Sequence, residues 1–177
     1  MKNNIYFNEF ERIAVEWKNE TKVLDEKRRN IVNKFGWDSK EFKVWYAEYK
    51  ARKFPFSSGE TKAYYAWKYS ESEEVEMNDF CWDYEVHDFI NAFRKAGIET
   101  FVYTNTSSSV MENLHLFVKE GCEMLGLCTI TKNNGYDEEL LVTGIRFKVN
   151  VAQNDTQDIV ETVNDEIIDE TEKVAQD

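Results

Sequence analysis

The chain has 177 residues with one proline and seven glycines, which excludes collagen-like and proline-rich linker proteins. Hydrophobic residues make up 42% and aromatic residues 15%, which is enough material for one domain with a core. The net charge of −12 argues against general nucleic-acid binding, because polyphosphates are repelled at long range.

The charges are separated along the chain. Residues 1–70 carry 15 Lys and Arg against 10 Asp and Glu, and are therefore mildly basic. Residues 71–100 carry 2 against 9, and residues 151–177 carry 1 against 9. The molecule thus has a basic front, an acidic middle and a very acidic end.

Several classes of protein are disfavoured by what the sequence lacks. No run approaches the ~18 apolar residues of a membrane span, and the N-terminus has no apolar signal core. We therefore expect a cytoplasmic protein with no membrane contact. The three cysteines form no CxxC pair, so a disulfide framework is not expected.

The first 70 residues predict a helical N-terminal region. Gly36 is placed to end a first helix, Asp38 to cap a second with Glu41 three residues on, and Pro55 to terminate that second helix. A third, shorter helix follows a Ser-Ser-Gly break. We expect these helices over about 10–35, 39–54 and 61–69.

The run SESEEVE at residues 70–76 has almost nothing to bury, and we place the boundary of a compact domain there. Residues 78–150 predict the order helix, strand, helix, strand, strand. A strand–helix–strand crossover predicts parallel pairing of the first two strands, and Asn133–Gly135 predicts a hairpin to the last. Residues 151–177 predict an acidic tail, disordered or weakly helical. The fold class is therefore α+β, with a helical arm, a small mixed-sheet domain and a tail.

Several segments of the compact domain carry a family resemblance: FCWDYEVHDF at 80–89, FRKAGIE at 93–99, TSSSVM at 106–111, EGC at 120–122 and, before them, KAYYAW at 62–67. Over roughly residues 61–149 the chain resembles small acidic proteins encoded on conjugative elements, plasmids and phages of Firmicutes. The resemblance implies an accessory protein of a mobile element in a bacterial cytoplasm, and no activity, cofactor or active site comes with it. By analogy with other small acidic proteins of such elements, an anti-CRISPR-like inhibitor is suggested.

Aromatic and basic residues alternate between residues 43 and 53. Such interleaving is able to stack on bases and neutralise phosphates, although the same aromatics also suit a helix core with solvated lysines around it. The candidate partner-binding residues of this stretch are Lys43, Trp45, Lys50, Arg52 and Lys53.

The acidic run offers a second candidate surface. Its carboxylates resemble the charge of a phosphate backbone and suit a basic groove on a nuclease, while the alternative is simple solubility. The candidate residues are Glu71, Glu73, Glu74 and Glu76.

Catalytic chemistry is weakly indicated. His87 follows Asp83 by one helical turn, an arrangement able to orient a base, but such a pair is also an ordinary surface contact. If the protein is an enzyme, Asp83, His87 and His115 are the candidate catalytic residues. Cys122 and Cys128, six apart on one predicted strand, are expected to face the same side as core residues, too far apart for a shared zinc or a disulfide. No glycine-rich loop and no metal-ligand set is present, so we expect no cofactor and no metal.

Three functions remain open. The leading one is a non-enzymatic counter-defence protein of a mobile element, which binds and inhibits a host nucleoprotein such as a CRISPR effector nuclease. An alternative is a nuclease acting on guide RNA or DNA. Another is an adaptor or regulator of the element's own transfer machinery, with the N-terminal helices as the docking face. The identity of the partner, direct nucleic-acid contact and the oligomeric state stay open.

Overall fold

A computed structural model describes residues 4–72, 74–133 and 139–150. Within these ranges the chain forms five helices and four strands, which confirms the α+β class. The helices are α1 (Ile5–Phe35), α2 (Lys40–Ala51), α3 (Ser58–Tyr69), α4 (Asp83–Lys95) and α5 (Val110–Lys119). The strands are β1 (Val75–Met77), β2 (Thr100–Tyr103), β3 (Cys122–Asn133) and β4 (Glu139–Val149).

The four strands form one mixed sheet in the order β1-β2-β4-β3. β1 runs parallel to β2, whereas β4 lies between β2 and β3 and is antiparallel to both. The predicted direct pairing across the crossover that contains α5 is therefore wrong. β2 and β3 do run in the same direction, but β4 fills the place between them. The predicted antiparallel pairing of the last two strands is confirmed.

β1 arises from the acidic run, which sequence reasoning treated as a boundary with almost nothing to bury. That expectation is wrong, because Val75, Glu76 and Met77 are all buried in the sheet. Thr104 N–H donates to the carbonyl of Met77, which ties the end of β1 to the residue after β2. Because Val75 is flanked by glutamates, this segment has the pattern of an exposed charged run, and the sequence does not predict the short strand.

A β-bulge interrupts β3 at Leu125. Met124 pairs with Phe147, whereas Gly126 pairs with Arg146, so one extra residue stands between them. Gly126 has a φ of 117°, which the bulge requires and glycine adopts without strain. The extra residue reverses the alternation of side chains. Cys122 and Cys128 consequently lie on opposite faces of the sheet, and the prediction that they share a face is wrong.

The hydrophobic core draws on both the N-terminal helices and the sheet domain. Phe7 and Phe10 of α1 and Trp67 of α3 belong to the same buried cluster as Phe89 of α4 and Phe101 of β2. The predicted domain boundary at residues 70–78 stays a prediction, because it concerns whether the sheet domain folds on its own. The predicted tail at 151–177 lies outside the described residues.

The helix caps explain where the N-terminal helices begin. Ser39, rather than Asp38, caps α2, because its hydroxyl accepts from Phe42 N–H. Ser57 and Glu60 form a capping box at α3, which therefore starts three residues earlier than predicted. Within the described ranges, no helix combines the length and apolar composition of a bilayer span.

Candidate interface on the α1–α2 hairpin

The second half of α1 and all of α2 form an antiparallel pair, called here the α1–α2 hairpin (residues 18–51). Only the first half of α1 reaches the hydrophobic core. At the base of the hairpin the Arg52 guanidinium lies 4.0 Å from the ring centroid of Trp17 and donates to Glu20 at 2.7 Å. These contacts fix the direction in which the pair of helices leaves the core.

One face of α2 packs against α1 and is aromatic. Trp45 is only 4% exposed, and its ring stacks on Phe42 at 5.6 Å and on Tyr49 at 5.1 Å between centroids. The three positions recur at steps of three and four residues, which places them on one side of the helix. This packing stabilises the hairpin from within, apart from the main core.

A second face of α2 carries an exposed stripe of Lys43, Tyr46 and Lys50, called here the basic–aromatic stripe. The spacing of three and four residues puts all three side chains on one flank. Tyr46 is 44% exposed, and the Lys50 ammonium lies 4.9 Å from its ring centroid. A ring and two ammonium groups on one surface suit a base or sugar face beside phosphates.

The opposite flank of α2 forms an open groove with α1 of about 420 Å³. Its apolar lining comes from Ile31, Phe35 and Val44, and its rim mixes lysines with glutamates. The buried indole N–H of Trp45 has no hydrogen-bond partner among the described residues. The mixed rim distinguishes this groove from the stripe, whose charged members are all basic.

The structure divides the candidate partner-binding residues of the stretch 43–53 into two groups. Lys43, Lys50 and Lys53 are exposed and available to a partner. Trp45 is buried and Arg52 is held at the hairpin base by Glu20 and Trp17, so both contribute to the packing of the hairpin. Tyr46 belongs to the same aromatic–basic stretch but is not among its candidate partner-binding residues; its place between Lys43 and Lys50 on the helical wheel is the sequence signal that identifies it.

Two glutamates of the predicted acidic surface are engaged inside the molecule. Glu74 accepts two hydrogen bonds from the Arg146 guanidinium, at 2.5 and 2.8 Å. Glu76 is buried, pairs with Lys132 Nζ at 2.5 Å and accepts from the Thr104 hydroxyl. Glu71 is exposed, and Glu73 lies outside the described residues. Of the described glutamates of this run, Glu71 alone is exposed and therefore accessible to a partner.

His87 has a different partner from the one its sequence neighbours suggested. Its Nδ1 lies 3.0 Å from Glu120 on the turn after α5, and its Nε2 lies 2.9 Å from the Asn91 amide nitrogen. Asp83 forms no ion pair with it among the described residues, and His115 is an exposed residue of α5. The structure thus supplies an oriented imidazole but does not unite the three candidate catalytic residues by hydrogen bonds.

No metal centre is formed by the described part of the chain. Residues 4–72, 74–133 and 139–150 contain no group of three or more His, Cys, Asp and Glu side chains placed to hold an ion. A second ion pair with a buried carboxylate, Lys62 with Glu85 at 2.6 Å, joins α3 to α4. Lys62 also donates to the carbonyl of Phe80, so this pair holds elements together.

The model of one family, described as a domain of unknown function (DUF7698), matches residues 60–149. The chain belongs to this family. The matched region runs from α3 to β4 and leaves the α1–α2 hairpin outside it. No curated protein and no solved structure matches the chain. The candidate interface therefore lies outside the domain that defines the family.

Proposed function

We propose that this DUF7698 protein is a non-enzymatic binding protein that docks its α1–α2 hairpin on a host nucleoprotein. The observation that carries the proposal is the exposed basic–aromatic stripe of Lys43, Tyr46 and Lys50 on a hairpin that projects from the core. Such a stripe contributes base or sugar stacking of about 1–3 kcal/mol per ring together with phosphate neutralisation.

The charge of the whole molecule indicates what kind of partner suits the stripe. With a net charge of −12, the protein gains little from free nucleic acid. A nucleoprotein carries both negative and positive charge, because its phosphates are acidic and its protein component is basic where it binds nucleic acid. The stripe covers about 10 Å of α2 at helical rise, from Lys50 beside the hairpin base to Lys43. It therefore lies on the hairpin and not on the body, which lets it contact a nucleic-acid strand while the acidic body faces basic protein.

In its specific form the proposal is a counter-defence role, with a guide-loaded CRISPR effector nuclease as the partner. Two observations support it: the resemblance of residues 61–149 to accessory proteins of mobile elements, and the separation of basic and acidic charge along the chain. Inhibition then follows from occupying the surface that the target strand needs.

A pull-down with guide-loaded nuclease tests this at about 50 mM and about 300 mM salt, since binding through phosphate contacts weakens with salt. We expect retention of the wild-type chain at the lower salt and loss of retention for the double variant Lys43→Glu, Lys50→Glu. The double variant Lys119→Glu, Lys148→Glu has the same net charge and serves as the control. Absence of wild-type retention at the lower salt, or equal loss in both variants, contradicts the proposal.

The alternative nuclease function has one supporting observation, the imidazole of His87 held 3.0 Å from Glu120. It predicts that the purified chain cleaves labelled guide RNA or DNA with a divalent metal and that His87→Ala abolishes this cleavage. An unchanged label removes the alternative. An adaptor of the element's own transfer machinery uses the same hairpin and is distinguished by retention on transfer proteins instead of on the nuclease.

A further inference from the structure

The two edges of the sheet are protected to different degrees. β1, at one edge, is only three residues long, and the N–H of Glu76 is occupied by the Ser70 hydroxyl at 2.7 Å. β3, at the other edge, is twelve residues long and pairs only with β4. Among the described residues, no hydrogen bond reaches the outer edge of β3. A long edge strand with free backbone groups is a template for another strand.

The side chains of β3 favour association rather than prevent it. Met124, Leu125 and Leu127 are exposed, and Leu127 is 80% exposed. The run from Met124 to Thr131 carries no charge and no proline. A lysine on an edge strand often prevents pairing with a further strand. Lys132 of β3 does not have this effect, because its side chain lies on the sheet face, where it is 18% exposed and pairs with Glu76.

We propose that the edge of β3 is the site at which two copies of this chain associate, by antiparallel pairing of β3 with β3 into one continuous eight-stranded sheet. An antiparallel pair of identical strands has two-fold symmetry, so a single edge supplies both halves of the interface. The proposal is independent of the partner assigned to the α1–α2 hairpin, because β3 lies on the sheet.

The charges on β3 indicate where the two-fold axis lies. An axis near Cys128 places the uncharged run of each copy against that of the other. It also places the two Glu123 side chains at opposite ends of the seam, each beside the Lys132 end of the other strand, where Lys132 is already paired with Glu76 of its own chain. No like charges then meet along the seam, in spite of the net charge of −12 on each chain.

The number of hydrogen bonds available is adequate for a specific interface. β3 is regularly paired with β4 from Gly126 to Asn133, after the bulge. With the axis near Cys128, residues 126–130 of the two copies oppose each other within this regular part and supply about five backbone hydrogen bonds, at the lower end of the range of about 10 ± 5 found in protein interfaces. The exposed leucines add apolar area next to these bonds.

Light scattering after size exclusion, with the full chain from low to high micromolar concentration, tests the proposal. We expect a concentration-dependent dimer, and a dissociation constant raised about tenfold or more in Leu125→Lys, Leu127→Lys, because the two lysines add like charges on both sides of the seam. Leu141→Lys is the control, since Leu141 is 68% exposed but lies on β4, where it pairs with Thr131 of β3 and is one strand away from the proposed seam. A monomer at every concentration overturns the proposal, as does a dimer lost only in the control.

Cys128 reports on the position of the axis. Burial raises the pKa of the thiols of Cys81 and Cys122 to about 12, so Cys128 is the reactive cysteine of the folded chain. A short bis-maleimide is expected to join two chains through Cys128, and Cys128→Ser is expected to abolish that product. Dimer without cross-linking shows that the strands do not meet near Cys128 and overturns the assigned pairing.

Discussion

Asn113 is a fully buried amide that connects three parts of the fold. Its Oδ1 accepts from Cys81 N–H at 3.0 Å and from the Tyr103 hydroxyl at 2.7 Å, while its Nδ2 donates to the carbonyl of Cys81. Each of these groups is shielded from water and depends on the amide for its hydrogen bond. Asn113 therefore fixes the loop before α4 against α5 and β2.

We expect Asn113→Ala to lower the free energy of unfolding by about 2–4 kcal/mol, since it leaves several buried polar groups without partners. Tyr103→Phe removes a single hydroxyl and is expected to cost about 1 kcal/mol. Urea unfolding followed by tryptophan fluorescence measures both. A larger loss for Tyr103→Phe than for Asn113→Ala contradicts this account.

Glu85 gives the stability a pH dependence. Burial raises its pKa, but hydrogen bonds from Lys62 and from Trp82 N–H outweigh that effect, and the net pKa lies below the ordinary carboxyl value. The folded state thus binds fewer protons than the unfolded state in mildly acidic solution. The stabilisation is complete above the unfolded pKa and is lost as the pH falls through the folded pKa.

We expect the free energy of unfolding to decrease from about pH 6 to about pH 3, and to decrease less steeply in Glu85→Gln, which has no proton to gain at this site. The control is Glu112→Gln, which changes an exposed carboxyl group of α5. Unfolding curves at several pH values measure this pH dependence for the wild type and both variants. Parallel pH profiles for the wild type and Glu85→Gln speak against the Lys62–Glu85 pair as the source.

At the scale of elements, α3 and α4 approach each other closely at Gly59. A β-carbon added at Gly59 would collide with the carbonyl oxygen of Glu85 and lie 2.8 Å from the backbone nitrogen of Phe89. Both contacts are to main-chain atoms, which cannot turn away as a side chain does. The absence of a side chain at residue 59 therefore sets the distance between the two helices.

Gly59→Ala is expected to destabilise the fold by about 1–3 kcal/mol, although alanine favours a helix by about 1 kcal/mol relative to glycine. Gly97→Ala is the comparison, because a β-carbon there meets nothing within 4 Å and only the positive φ of 65° is affected. Thermal unfolding followed by circular dichroism measures both variants. A stabilised Gly59→Ala variant is incompatible with the close approach.

Local sequence signals located most elements but not their burial or pairing. Glycine stops and capping residues placed the ends of the helices within a few residues, because these signals act over one turn. In α5, however, the apolar side chain of Met111 is 74% exposed, whereas Leu116 and Phe117 of the same helix are buried. A helix that is rich in leucine and valine has more than one apolar stripe. The position of the sheet determines which of these stripes is buried.

The elements and contacts missed from the sequence depend on distant residues. β1 becomes a strand because β2 pairs with it and Glu76 meets Lys132, which lies 56 positions further on. The partner of His87 is likewise Glu120 rather than its neighbour Asp83. In the candidate interface, the spacing of the basic residues of α2 predicts that they share one flank of the helix. The burial of Trp45 depends on where α1 lies, which the local sequence does not give.

At the scale of the whole molecule, the main question is whether the sheet domain folds without the N-terminal helices. Trp67 is buried, and its ring centroid lies 5.1 Å from that of Phe7. α3 packs along α4 through Gly59, and β1 supplies an edge to β2. A fragment of residues 78–150 lacks all three of these elements and exposes the apolar face of α4.

We expect the fragment 78–150 to lose the cooperative thermal transition of the full chain, since the surface left by α1 and α3 is apolar. A fragment of residues 1–150, which keeps both helices, serves as the control and is expected to retain that transition. Circular dichroism melting curves compare them. A sharp transition in the fragment 78–150 would establish an independent domain with a boundary at residues 70–78.

The continuity of α1 has a mechanical consequence. Its 31 residues make a rod about 46 Å long, clamped at one end by Phe7 and Phe10 and carrying the α1–α2 hairpin at the other. No proline or glycine within the helix supplies a hinge. A force on the hairpin tip is therefore transmitted by α1, as by a lever, to the aromatic cluster. A partner bound to the hairpin consequently exerts a torque on the body of the protein.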